Sequence, residues 1–229
     1  MFKLELSKPI FSPEIFGITI NITSSIITQW IVILILGIGA FLLTRNLKLK
    51  PGKVQASLEK IYESIRDIAI DTMGKEYESF LPYIGTLMIY LLVLNFTGLL
   101  GFKPATQDIS VTAAFATVTF LVVNLNAIKK NGLVGYGEGL LHPFWPMLPI
   151  NIMERFVLPL ALSLRLMGNM LASTIILELI YHVLGGISPF AQLGIPIVGH
   201  LYFDLFDGTI QMIVFSMLTM INIKVTAEH

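Results

Sequence analysis

One arginine, Arg165, stands in the otherwise apolar run Leu160-Ala-Leu-Ser-Leu-Arg165-Leu-Met-Gly-Asn169-Met-Leu-Ala-Ser, with no acid nearer along the chain than Glu154 or Glu178. A guanidinium does not titrate in proteins, so it offers a permanent positive charge. If the run lies in a membrane, a central arginine costs ~2.5–3.5 kcal/mol on insertion scales, and such groups mark functional sites by default. The bland alternative is an arginine that snorkels to the interface or pairs with a carboxylate of another helix.

A second constellation lies further on. His200, Asp204, Asp207 and Gln211 are spaced four, three and four residues apart, which puts all of them on one face of an α-helix. Two aspartates one turn apart repel if both are ionised, an arrangement suited to passing a proton on. The same stripe also reads as a polar cap at a helix start, since Pro196 and Gly199 are close. Rotation of about 100° per residue puts Asn169, Ala172 and Ile176 on the side of Arg165, with Gly168 at the flank. Small residues there let another helix approach closely. Thr174, Glu178 and Tyr181 fall on the opposite face, where Glu178 serves a different compartment or a structural hydrogen bond. His142 and His182 are single histidines near expected helix ends and read as structural.

These groups stand out because charge is scarce. Hydrophobic residues make up 55% of the 229 and charged residues 13%, with a mean hydropathy of +0.78; ordinary globular domains carry ~25% charge. A soluble globule and a disordered chain are excluded. Fifteen basic and fifteen acidic residues cancel, so the field that would collect nucleic acid is missing. The absence of cysteine excludes disulfides, thiolate metal sites and cysteine nucleophiles. No His-Glu-x-x-His, Walker-type loop or Gly-x-Ser-x-Gly occurs, and Gly135-Tyr-Gly-Glu-Gly139 reads as a loop without a preceding strand. Neither hydrolytic nor nucleotide chemistry has an anchor, and no cofactor or metal is expected.

The fold class that remains is an all-α polytopic membrane protein, read here as a single membrane domain. A span needs roughly 20 mostly apolar residues. An extracytoplasmic segment is expected over 1–25, and it is expected to be retained because Pro9, Pro13, Glu5 and Glu14 do not suit a signal peptide; the first span is expected over 26–44. Residues 45–78 carry seven basic and six acidic side chains and cannot sit in hydrocarbon. Val54, Leu58, Ile61, Ile65, Ile68 and Thr72 recur there at helical spacing, which predicts an interfacial amphipathic helix. A transmembrane hairpin follows over 79–128, turning at Lys103-Pro-Ala-Thr-Gln-Asp108. Two long helices over 146–184 and 190–224 exceed a hydrocarbon core near 30 Å and must tilt strongly. Pro159 and Pro196 are expected to kink them.

Arg45, Lys48, Lys50 and Lys53 follow the first span, Lys129 and Lys130 the third and Lys224 the fifth, whereas the opposite hairpin end has only Lys103. This bias predicts an outside N-terminus and a cytoplasmic C-terminus. No internal repeat is visible, which argues against a proton-coupled secondary transporter or channel using Arg165 as an anion site. A structural subunit without an ion path is disfavoured by the intramembrane charges.

The string Leu148-Pro-Ile-Asn-Ile-Met-Glu154 through Pro159-Leu-Ala-Leu-Ser-Leu-Arg165-Leu-Met-Gly-Asn169 closely resembles subunit a of bacterial F-type rotary ATP synthases. Asn95-Phe-Thr-Gly98 with Pro104-Ala-Thr-Gln-Asp108 is similar to that family's hairpin turn, and Gln211 with Phe215-Ser-Met-Leu-Thr219 to its final helix. The resemblance covers most of the chain. It implies a non-catalytic, ion-translocating stator subunit in the bacterial plasma membrane, with a rotor ring of c subunits, peripheral-stalk b subunits and lipid as partners. The translocated ion is a proton or a sodium ion. It also implies that Arg165 is the stator charge, with Asn169 and Gln211 beside it, and that Asn169, Glu178, His200, Asp204, Asp207 and Gln211 belong to the ion pathway, the two aspartates, His200 and Glu178 lining an access route. The chain departs from the family in carrying Thr174 where many members have a carboxylate, Asp204 where others have His or Glu, and Arg155 where a second glutamate is common.

Overall fold

The computed structural model describes residues 14–15, 18–19, 23–102, 104–141, 145–187 and 191–228. Lys103, His142, Pro189 and most of the expected N-terminal segment lie outside these residues. The described chain is almost entirely helical, and five of its helical segments are long and apolar enough to cross a membrane. Ahead of them, Glu14–Ile15 pairs antiparallel with Ile18–Thr19.

The first helix, α1 (Ser24–Thr44), has 21 residues. At 1.5 Å per residue it is about 30 Å long, the thickness of a hydrocarbon core. It buries Val32 against Leu94 and Ala105 and exposes most of its other large apolar side chains, as a lipid-facing helix must. Helix α2 (Lys53–Met73) is the amphipathic one, and it stops at Gly74, whose φ of 93° glycine tolerates best. Its apolar residues do not share one fate. Ala69 and Met73 are buried with Ile65 against the core, whereas Val54, Ile61 and Ile68 stay exposed. Half of α2 is thus docked on protein, because Ala69 is small enough to permit close approach and the simple three-and-four reading passed over it. Arg66 Nε donates to Glu78 Oε1 at 2.9 Å on the exposed side of this junction.

Helix α3 (Leu81–Phe96) leads through two short 3-10 turns, Thr97–Leu100 and Ala105–Gln107, into α4 (Ile109–Leu141). Asp108 starts α4 by accepting the Ser110 amide at 3.0 Å. The hairpin's second arm runs past the expected end at residue 128. It passes Lys129 and Lys130 and breaks at Gly132, where φ 73° and ψ 171° leave helical space. Asn126 and Asn131 reach the Ile223 and Ala227 carbonyls of the last helix at 3.5 and 3.2 Å, which carries the packed structure beyond the apolar stretch.

Helix α5 (Leu148–Ile187) is 40 residues long and runs through Pro159. That ring withdraws one backbone donor, the one the Arg155 carbonyl would have accepted, without ending the helix. The final segment is not one helix. Helix α6 (Ala191–His200) passes into a π-helical stretch, Leu201–Asp207, before α7 (Gly208–Glu228). The main core joins α2, α3, α4, α5 and α7 around Ile84, Leu91, Leu166, Phe215, Met220 and Ile223.

Candidate functional site

Helix α5 turns one face inward. Leu162, Leu166 and Met170 are at most 4% exposed, and Ser163 Oγ donates to Thr112 Oγ1 of α4 at 3.1 Å. Arg165 lies off that face and is exposed, together with Leu164, Ala172 and Ile176. Among the described residues the close contacts between basic and acidic side chains are Arg66–Glu78 and His200–Asp204, and neither involves Arg165. One turn on, Asn169 Nδ2 donates to Gln211 Oε1 of α7 at 2.8 Å. Gln211 is 2% exposed, and its Nε2 has no hydrogen-bond partner among the described residues.

The stripe expected from His200 to Gln211 is divided by the π-helical stretch. A π turn closes from residue i to i+5 and so holds more residues than an α turn. The four-residue step from His200 to Asp204 then falls close to one turn, and Nδ1 of His200 lies 2.7 Å from Oδ2 of Asp204. The three-residue step falls well short of a turn, which rotates Asp207 away from Asp204. Asp204 is 3% exposed, Asp207 is half-buried, and Gln211 belongs with Asn169. The structure therefore brings together His200 with Asp204 and Asn169 with Gln211.

Glu178 is exposed on the far side of α5. It lines an open cleft of ≈ 570 Å³ with Tyr181, His182, Gly185 and Gly186. The ring of Tyr181 lies 6.0 Å from that of His200, so the cleft neighbours the His200–Asp204 pair. Thr174 accepts a hydrogen bond from Gln107 Nε2 of the hairpin turn.

Residues 26–224 match the ATP synthase A chain family. The chain belongs to that family. It is 36% identical to ATP synthase subunit a of Moorella thermoacetica over 208 residues, which cover 90% of this chain and 92% of the relative. It is 33% identical to the sodium ion specific ATP synthase subunit a of Propionigenium modestum, over 92% of this chain and 75% of the relative. For ATP synthase subunit a of Bacillus velezensis the identity is 33%, over 94% of this chain and 97% of the relative. An ATP synthase A chain is a membrane subunit of that complex, and the five long apolar helices agree with a multi-pass protein.

Arg155 does not pair with its neighbour Glu154. Its guanidinium lies over the Tyr136 ring, 4.5 Å from the centroid, and donates to Asn124 Oδ1 at 3.3 Å. The break at Gly132 folds the end of α4 back far enough for the Tyr136 hydroxyl to donate to the same oxygen at 2.5 Å. Behind them lies a cavity of ≈ 30 Å³ with Thr119, Asn222 and Thr226 in its wall, room for a water or two.

Two residues near the site were not singled out by spacing. Asn95 is fully buried at the end of α3, donating to the Gly208 carbonyl at 3.0 Å and accepting from Thr106 Oγ1 at 3.1 Å. Gly98 faces the carboxylate of Asp204. A lone amide inside an apolar run was the available signal for Asn95, since buried polar groups need partners.

Proposed function

We propose that this chain is the ion-translocating stator of a rotary ATP synthase and that Arg165 is the fixed charge past which the rotor carboxylates turn. The observation that carries this reading is the exposure of Arg165 on a side of α5 shared with Ala172, without an acid partner among the described residues. A permanent charge on a small-residue face suits a partner that brings its own carboxylates.

The chemistry follows from two opposed terms. Burial in lipid favours the neutral form of a rotor carboxylate by up to ~3–5 pKa units. At about 4 Å and an effective dielectric of ~20, the attraction to a guanidinium is ~4 kcal/mol, and each pKa unit is ~1.36 kcal/mol. The two terms are comparable. The carboxylate ionises beside Arg165 and takes up its ion again after passing. Because arginine holds its proton, the charge also blocks direct passage between two offset access routes.

Glu178, His200, Asp204 and Asp207 line one route, supported by the cleft at Glu178 and its contact through Tyr181 with His200. The other reaches the cytoplasm between the hairpin and the long helices. Asn169 and Gln211 hold α5 and α7 together beside the charge. The lysine and arginine placement supports an outside N-terminus and a cytoplasmic C-terminus in a bacterial plasma membrane. The rotor ring of c subunits faces Arg165, and peripheral-stalk b subunits with lipid cover the exposed helices, α1 among them. The chain itself makes no ATP.

Cross-linking tests the facing. The chain has no cysteine, so Ala172→Cys introduces the sole thiol. It is expected to form a disulfide with a cysteine placed one turn from the rotor carboxylate. A thiol that joins only peripheral-stalk cysteines would contradict the reading.

A further inference from the structure

We infer that Gly98 is a positioning residue, the seat in which the Asp204 carboxylate lies and from which it reaches His200; the inference rests on the access-route reading of Asp204. A Cβ built on Gly98 would stand 2.7 Å from Asp204 Cγ and 2.8 Å from each carboxylate oxygen. Near-equal distances to all three atoms mean that the flat face of the carboxylate lies against the glycine. Its edge is then left to Oδ2, which meets Nδ1 of His200 at 2.7 Å. Any side chain at position 98 must displace the acid. Backbone conformation is not the reason for glycine here, since the positive-φ glycines are Gly74, Gly101 and Gly132.

The seat is half of a two-point attachment. Asp204 sits inside the π-helical stretch, and Gly208 follows it directly. Asn95, one turn before Gly98, donates to the Gly208 carbonyl at 3.0 Å, and a Cβ at Gly208 would stand 3.0 Å from Asn95 Cβ. The end of α3 thus grips the stretch at Asp204 and at Gly208. A π turn is rare and occurs mostly as a single turn inside an α-helix. Here the grip sets its rotation, and the rotation sets whether Asp204 faces His200.

The test uses the assembled complex in vesicles. The 15N signal of His200 Nδ1, assigned among the chain's four histidines by His200→Gln, is read by solid-state NMR. Proton flux is read under an imposed potential. Gly98→Ala is expected to move the His200 nitrogen to its position in Asp204→Asn and to lower flux to the level of that variant. In an Asp204→Ala background, which vacates the seat, adding Gly98→Ala is expected to cost no further flux. Should Gly98→Ala alone not assemble, the Gly98→Ala, Asp204→Ala pair is expected to assemble, because the shorter side chain leaves room for the methyl. An unchanged His200 signal with unchanged flux in Gly98→Ala, or a pair that loses flux or assembly beyond Asp204→Ala alone, would overturn the seat. Failure of the access-route reading looks different: Asp204→Asn then leaves flux intact while Gly98→Ala still moves the His200 nitrogen, which keeps the seat and removes its part in transport.

Discussion

The Asn169 side chain on α5 donates to Gln211 on α7 at 2.8 Å, so the residue one turn beyond Arg165 is held by the last helix rather than by its own. This bond adds to the buried face of Leu162, Leu166 and Met170 in setting the rotation of α5, and with it the direction in which Arg165 points. Asn169→Ala leaves Gln211, 2% exposed, with both ends of its amide unsatisfied, a change that costs about 1–3 kcal/mol. The expected result is a lower melting temperature of the detergent-solubilised complex and a fall in ATP synthesis. Gln211→Leu removes the buried amide altogether and should cost less stability while impairing synthesis as much. Equal synthesis in all three chains would mean that the bond does not orient the charge.

Asp204 and Asp207 are expected to differ. Asp204 is buried and paired with His200, whereas Asp207 is half-buried and lies outside that pair. Asp204→Asn should reduce proton flux more than Asp207→Asn, and the double replacement should be worse than either. Flux into vesicles at one fixed potential checks this. Unchanged flux in the double replacement would leave the stripe as a helix cap.

Gly132 offers a prediction about stability alone. Its φ of 73° and ψ of 171° lie where residues with a side chain are strained, although nothing stands within 4 Å of a Cβ placed there. Gly132→Ala should therefore cost about 1–3 kcal/mol of local backbone strain. Hydrogen exchange over 133–141 should rise, because the fold-back that seats Tyr136 on Arg155 is what the strain opposes. Slower exchange in that segment would contradict the account.

Much of this was legible in the sequence, and the parts that were not share a cause. Charge-free runs pointed to the five long apolar helices because hydrocarbon excludes charge along a whole helix. Arg165 declared itself by cost. The π-helical stretch did not, since Leu201 to Asp207 has the composition of any amphipathic helix and one extra residue per turn leaves no mark on it. Reading that stretch as α put Asp207 beside Asp204 and Gln211 in the same stripe, where the structure separates them. Gly98 was legible only as part of a turn, because its reason for being glycine is the carboxylate of a residue more than a hundred positions away. The fold-back after Gly132 was hidden for a similar reason: the partner of Tyr136, Arg155, lies on another helix.

The central claim is that Arg165 separates two ion routes by a charge that cannot be lost. Passive proton flux through the membrane sector under an imposed potential, measured beside ATP synthesis for Arg165→Ala and Arg165→Lys, tests it most directly. A lysine in such surroundings can shed its proton and become a carrier. Arg165→Ala is expected to abolish synthesis and admit passive flux, and Arg165→Lys to fail in synthesis and leak to a lesser degree. Normal synthesis with Arg165→Ala would contradict the account and leave Arg165 a structural residue.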